Sequence, residues 1–166
     1  MTKDEIFDVV DDEDKVFRQE TRQEIHRKKL KHRAIHVFIF NKKGQLFLQK
    51  RSLLKENFPG LWDSSVAGHL DAGEDYDLAC LRESKEELNV TFESPPKRLF
   101  KIDACQETGY EYIWVYRGLH EGPFSLNRKE IDCGKWYNIE EIRRWVEETP
   151  MDFTRSFVLI WDLYHG

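Results

Sequence analysis

The sequence predicts a single α/β domain of the mixed α+β kind, with helices on both faces of a mixed β-sheet: an α/β/α sandwich. Three observations lead there. Short runs of strand-forming residues recur along the chain, bounded by Gly, Pro, Asn and Asp turns. The segment YEYIWVYRG at 110–118 alternates Tyr110, Tyr112, Trp114 and Tyr116 with Glu111, Ile113 and Val115, so that strand has two distinct faces. Helical patterns lie among and after the strands, and 166 residues suffice for one domain with a sizeable core.

In chain order, residues 5–10 (EIFDVV) and 16–21 (VFRQET) flank the acidic turn DDEDK as an N-terminal hairpin. Residues 22–30 suit a short helix, so residues 1–30 form a unit packed on the core and 31–166 the main domain. AIHVFIFN and QLFLQKR flank Lys42-Lys43-Gly44 as a second hairpin. Residues 52–63 form a loop containing Pro59-Gly60, and SSVAGHL is a short strand. A helix follows, capped by Asp75, with Asp77 in its positive first turn. RLFKIDAC and YEYIWVYRG are strands joined by the turn Gln106–Gly109. EIDCGKWYNI is a last strand that leads into the helix IEEIRRWVEE, capped by Asn138. Pro150 interrupts it, and FTRSFVLIWDLY is a closing amphipathic helix.

The net charge of −5 leaves no electrostatic footprint for duplex nucleic acid. An acidic chain that binds a polyanion needs metal ions and a few placed Lys or Arg. No run approaches the ~20 apolar residues of a membrane span, and the first residues lack the apolar stretch of a secretory signal. Cys80, Cys105 and Cys133 show neither disulfide nor metal spacing, as expected of reduced thiols in a cytoplasmic protein. Oligomeric state stays open, a homodimer included.

The chemistry concentrates in residues 68–90, GHLDAGEDYDLACLRESKEELNV. At ~100° per residue, Glu83, Glu86 and Glu87 fall on one helical arc, and Cys80, Leu81, Ser84 and Leu88 on the other. Carboxylates at i, i+3 and i+4 repel by ~0.2–0.5 kcal/mol per close pair. A hard divalent cation, Mg²⁺ or Mn²⁺, turns that repulsion into coordination; a solvated acidic face is the alternative.

The spacing resembles the Nudix box, Gly-x5-Glu-x7-Arg-Glu-U-x-Glu-Glu-x-Gly-U, where U is bulky and aliphatic. Gly68, Glu74, Arg82, Glu83, Glu86, Glu87 and Val90 match it. Ser84 stands at the first U, where its hydroxyl is expected to bond the carbonyl one turn back. Asn89 stands at the second Gly and tolerates a left-handed backbone. The resemblance implies the Nudix fold and a metal-dependent pyrophosphohydrolase acting on a small, nucleoside-type or other diphosphate. Metal ions on Glu83, Glu86 and Glu87 would polarise phosphoryl oxygens and activate water, with Glu87 and then Glu111 as candidate general bases. Arg82 would pair with Glu74, and Gly68 and Gly73 would allow the tight backbone path.

HRAIHVFIFNKKGQLFLQKRSLLKENFPGLWDSSVAGHLDAGE is also similar to the corresponding segment of type I isopentenyl diphosphate isomerase, a Nudix-fold enzyme. That likeness implies metal-binding histidines at His32 and His69, a catalytic, metal-linked carboxylate at Glu111, and diphosphate contacts from Arg51 and Lys55. It also implies departures. The other ligand histidine would fall at Ile25, with His26 one residue out of register, and a second glutamate would fall at Gly109. Ala67 replaces the cysteine that exchanges a proton with the allylic carbon. The chain therefore fits the isomerase-like Nudix hydrolases better than the isomerases. A non-catalytic Nudix regulator is a third class, against which the intact set of glutamates speaks.

Overall fold

The structure is a computed structural model and describes residues 5–165. β1 (Ile6–Val10) and β2 (Val16–Thr21) form the expected antiparallel hairpin. α1 (Arg22–Lys28) follows, its first turn capped by Thr21, whose hydroxyl accepts from the Glu24 amide at 3.2 Å. Phe7, Val9 and Ile25 bury one another in a small apolar cluster. Two aspartates tie this unit to the remainder. Asp8 accepts from the Gly73 amide at 2.9 Å. Asp14 accepts from the Tyr76 hydroxyl at 2.6 Å and pairs with Arg33 and Lys101.

The main sheet has seven strands: β3 (His32–Phe40), β4 (Leu46–Arg51), β5 (Trp62–Asp63), β6 (Val66–His69), β7 (Lys97–Ile102), β8 (Glu111–Leu119) and β9 (Ile131–Tyr137). They run β5-β4-β3-β8-β7, with β6 beside β3 and β9 beside β4. β3 and β8 are parallel from His32↔Glu111 to Phe40↔Leu119, and the other pairs are antiparallel. The mixed sheet expected from sequence is therefore present.

The hairpin expected around Lys42–Gly44 closes only at its tip, because β3 and β4 pair just at Phe40↔Leu46. Ser65 is the wedge. Its hydroxyl accepts from the Ile39 amide at 2.9 Å and donates to the Phe47 carbonyl, so a side chain bridges the two strands. β6 then takes the freed edge of β3 at Ala34–Val37.

α2 (Tyr76–Leu88) packs Ala79, Cys80 and Leu88 against Ile35, Val37, Tyr112 and Tyr116 on one face of the sheet. α3 (Ile139–Glu148) and α4 (Arg155–His165) pack Ile142, Phe157 and Trp161 against Phe38, Ile113 and Val115 on the other. The alternation along 110–118 thus serves two apolar cores. A short 3-10 turn at Pro150–Asp152 separates the last two helices.

Asp75 caps α2, accepting from the Leu78 amide at 2.8 Å, and Asn89 ends it at φ 58 as expected. Two local expectations fail. Ser84 is buried, but its hydroxyl has no hydrogen-bond partner among the described residues, where a bond to the preceding turn was expected. Cys105 lies beyond the end of β7, in the turn where its carbonyl accepts from the Tyr110 amide at 2.8 Å. No helix among the described residues is long and apolar enough to cross a membrane.

Candidate active site

A cavity of ≈ 570 Å³ wraps around β6 and is lined by residues of α1, β3, β6, α2 and the loops at 52–60, 106–110 and 130. Its size suits a small ligand. Two sets of metal-ligating side chains converge on it.

The first set is acidic. Single ligand atoms of Glu83, Glu87 and Glu130 all lie within 4.8 Å of one another. Glu130, from the loop before β9, thus joins two members of the trio expected from the helical arc. The third, Glu86, also lines the cavity; its side chain is 53% exposed and pairs with Arg82 at 3.2 Å. Glu87 is buried, and Gln49 of β4 donates to its Oε1 at 2.7 Å. Burial, then the charge of Glu83, pushes Glu87 well above the usual carboxylate range. Such a buried oxygen-rich group fits a hard divalent cation.

Arg82 organises the loop as expected. It grips Glu74 with two hydrogen bonds of 2.7 and 2.8 Å, donates to Glu83 at 2.7 Å and holds the His69 carbonyl at 2.9 Å. Gly68 is required by proximity, since a Cβ there would lie 2.3 Å from Glu83 Cδ. Gly73 turns at φ +80, a left-handed position that favours glycine.

The second set is imidazole-rich. Single ring nitrogens of His26, His32 and His69 lie within 4.8 Å of one another. Glu111 Oε2 is 2.5 Å from His69 Nε2 and 3.3 Å from His32 Nε2. His26 Nδ1 lies 3.0 Å from the Arg22 carbonyl and His32 Nδ1 2.9 Å from the Leu30 carbonyl. Donation there leaves the Nε2 lone pairs for a metal. His32 Nε2 is buried and has no further partner among the described residues beyond its 3.3 Å contact with Glu111 Oε2. Burial pushes His69 down to about 4 and lowers His26, so both are neutral near pH 7. Against its own burial, Glu111 is held well below the usual carboxylate range by His69 and His32. A carboxylate among neutral imidazoles suits a transition metal.

His26 stands one residue from the position expected for a ligand, yet its ring joins those of His32 and His69. Ile25 is fully buried beside Phe7 and Val9, and both it and His26 line the cavity. Gly109, where a further glutamate was expected, adopts φ +66 in the turn before β8.

Arg51 and Lys55 both line the cavity. Most of the Arg51 guanidinium is spent on its own loop: Nη2 donates to the Asn57 carbonyl at 2.8 Å, and Nε to the Asn57 and Phe58 carbonyls at 3.2 Å. Lys55 Nζ stands 3.6 Å from Glu130 and keeps donors to spare. Sequence reasoning missed Glu130, Gln49 and the placement of His26. His26 lies one position from Ile25, where the resemblance puts a ligand; no local spacing marks the other two.

Comparisons with known proteins bear on the chain as a whole. The family described as NUDIX domain matches residues 30–157. Isopentenyl-diphosphate Delta-isomerase 2 of Photorhabdus laumondii is 33% identical over 159 residues, covering 93% of this chain and 89% of that one. An uncharacterized Nudix hydrolase of Yersinia pestis is 30% identical, covering 93% and 85%. Among solved structures, DR0079 from Deinococcus radiodurans superposes with a TM-score of 0.75 at 29% identity, covering 87% and 90%.

Proposed function

The chain belongs to the Nudix family, and on that premise we propose that it is a cytoplasmic hydrolase cleaving the diphosphate linkage of a small, nucleoside-type or other diphosphate, supported by Mg²⁺ or Mn²⁺. One observation carries this reading: the convergence of Glu83, Glu87 and Glu130 on the cavity, with Glu87 buried. Without a cation that arrangement is repulsive and poorly solvated.

Glu83, Glu87 and Glu130 would hold the metal, which supplies charge neutralisation and a more acidic bound water. Arg82 keeps Glu83 and the Glu74 loop in place. Gln49 and the Ala67 amide occupy Glu87 Oε1 at 2.7 and 3.4 Å, so Oε2 is the oxygen through which Glu87 would act, as metal ligand or as the first candidate base toward the attacking water. Glu111, ionised among its histidines, is the second candidate base. Lys55, 3.6 Å from Glu130, would meet the phosphates with its remaining donors, while Arg51 shapes the loop that carries it. The test is a screen with Mg²⁺ or Mn²⁺ of nucleoside diphosphate derivatives, dinucleoside polyphosphates and prenyl diphosphates for released phosphate or pyrophosphate. A chain inert to all of them would sink the reading.

A second reading, isomerisation of isopentenyl diphosphate, is favoured by the His26–His32–His69–Glu111 cluster. Ala67 opposes it, because a methyl group has no proton to exchange. Incubation with isopentenyl diphosphate in D₂O should place no deuterium on the allylic carbon; dimethylallyl product at enzymatic rates would reinstate the isomerase.

A further inference from the structure

The cavity wall holds a polar pair that neither ligand set uses. His36 of β3 and Asp63 of β5 line the cavity, each 4% exposed. His36 Nδ1 is taken by Ser64 Oγ at 2.7 Å, and the other ring nitrogen has no protein partner among the described residues. Asp63 Oδ1 accepts from the Ser64 amide at 2.8 Å. Its Oδ2 stands 3.6 Å from Arg51 Nη1, an ionic contact beyond hydrogen-bond distance. Burial lowers His36, so its ring is neutral near pH 7. Each of these side chains is thus anchored at one atom, and neither His36 Nε2 nor Asp63 Oδ2 is among the sealed, partnerless atoms of the described residues, so both stay accessible to a ligand.

Few ligand groups answer both open atoms. A phosphate or carboxylate meets the charge of Asp63. A hydrocarbon strips both atoms of water and returns no hydrogen bond. A hydroxyl donates to Asp63 Oδ2, and a neighbouring hydroxyl pairs with His36 in either tautomer, because it is donor and acceptor at once. Thr154 and Ser156 also line the cavity. Resting on the diphosphate hydrolysis proposed above, we propose that His36 and Asp63 form a subsite for a vicinal diol, so that the organic half of the substrate is a hydroxylated, sugar-like group.

The test uses the methylene-bridged 5-diphosphate analogues of ribose and of 2,3-dideoxyribose, titrated calorimetrically with Mg²⁺ into the intact chain. Neither compound can be hydrolysed. The wild type should bind the ribose compound about ten- to a hundredfold more tightly, the span set by leaving buried polar atoms unpaired. His36→Phe and Asp63→Asn should each shrink that preference severalfold, with folding checked by circular dichroism. Asp63→Asn can keep the Ser64 bond and carries the test if His36→Phe does not fold. Equal affinity for the two compounds, no binding of either, or a preference that survives in the folded variants overturns the subsite. A chain that keeps the preference yet hydrolyses no diphosphate overturns the hydrolase reading alone.

Discussion

Gln49 Nε2 donates to Glu87 Oε1 at 2.7 Å where neither side chain meets solvent, and the same nitrogen reaches the Ser65 carbonyl at 3.1 Å. A strand residue with no charge of its own thereby fixes the orientation of the most buried carboxylate in the cavity. Gln49→Leu keeps most of the volume and removes the donor. Apparent Mg²⁺ affinity should fall ~10–100-fold, the usual cost of losing a group that orients a metal ligand. Turnover at saturating Mg²⁺ should recover most of its value. A Mg²⁺ titration of activity that superposes on wild type would remove Gln49 from the site.

Glu87→Gln should stabilise the metal-free protein while reducing turnover by at least ~10²-fold. The folded pKa of Glu87 is raised, by burial and then by Glu83. Its contribution to stability is therefore complete below the unfolded carboxyl value and is lost as pH rises through the folded value. Glutamine does not titrate. In chelator at pH 8 the variant should melt above wild type, and the difference should shrink toward pH 4. Mg²⁺ should raise the wild-type Tm more than the variant's, by mass action on the folded state. A variant that melts lower at pH 8 would show that the buried charge is not the burden.

His26→Ala should weaken the imidazole-rich site for a transition metal by at least ~10-fold, because it removes one of three nitrogen ligands. Co²⁺ absorption titration reads this directly: wild type should show a nitrogen-rich site that the variant fills only at higher metal concentration. Identical titrations would mean that His26 merely packs against its neighbours.

Arg51 and Lys55 should separate by experiment. Arg51→Ala loses bonds to the Asn57 and Phe58 carbonyls, so it should destabilise the protein by ~1–3 kcal/mol and open the 52–60 loop to proteolysis. Arg51→Lys should not restore the loop, since a point donor cannot span two carbonyls. Lys55→Ala should raise KM about tenfold with little change in Tm. The reverse pattern would return the phosphate contact to Arg51.

Much of the fold was legible in the sequence because alternation and capping are local. The Asp75 and Asn89 caps and the two faces of residues 110–118 follow from neighbours in the chain, and the Arg82–Glu74 pair from the resemblance to the Nudix box. The open β3–β4 hairpin was not legible, because Ser65, far along the chain from Ile39, decides it. The acidic trio was legible in part. Helical geometry placed Glu83, Glu86 and Glu87 along the cavity, but Glu130 arrives on a loop that no helical spacing marks. Strand partners such as Gln49 carry no motif, since only the sheet register brings them beneath α2.

The docking of β1, β2 and α1 makes the imidazole cluster a composite of two pieces of the fold. Glu83, Glu87 and Glu130 come from α2 and the loop before β9, whereas His26 arrives on α1, whose hairpin is held to the remainder by Asp8 and Asp14. Local opening of that hairpin would therefore dismantle the imidazole cluster while leaving the carboxylates in place.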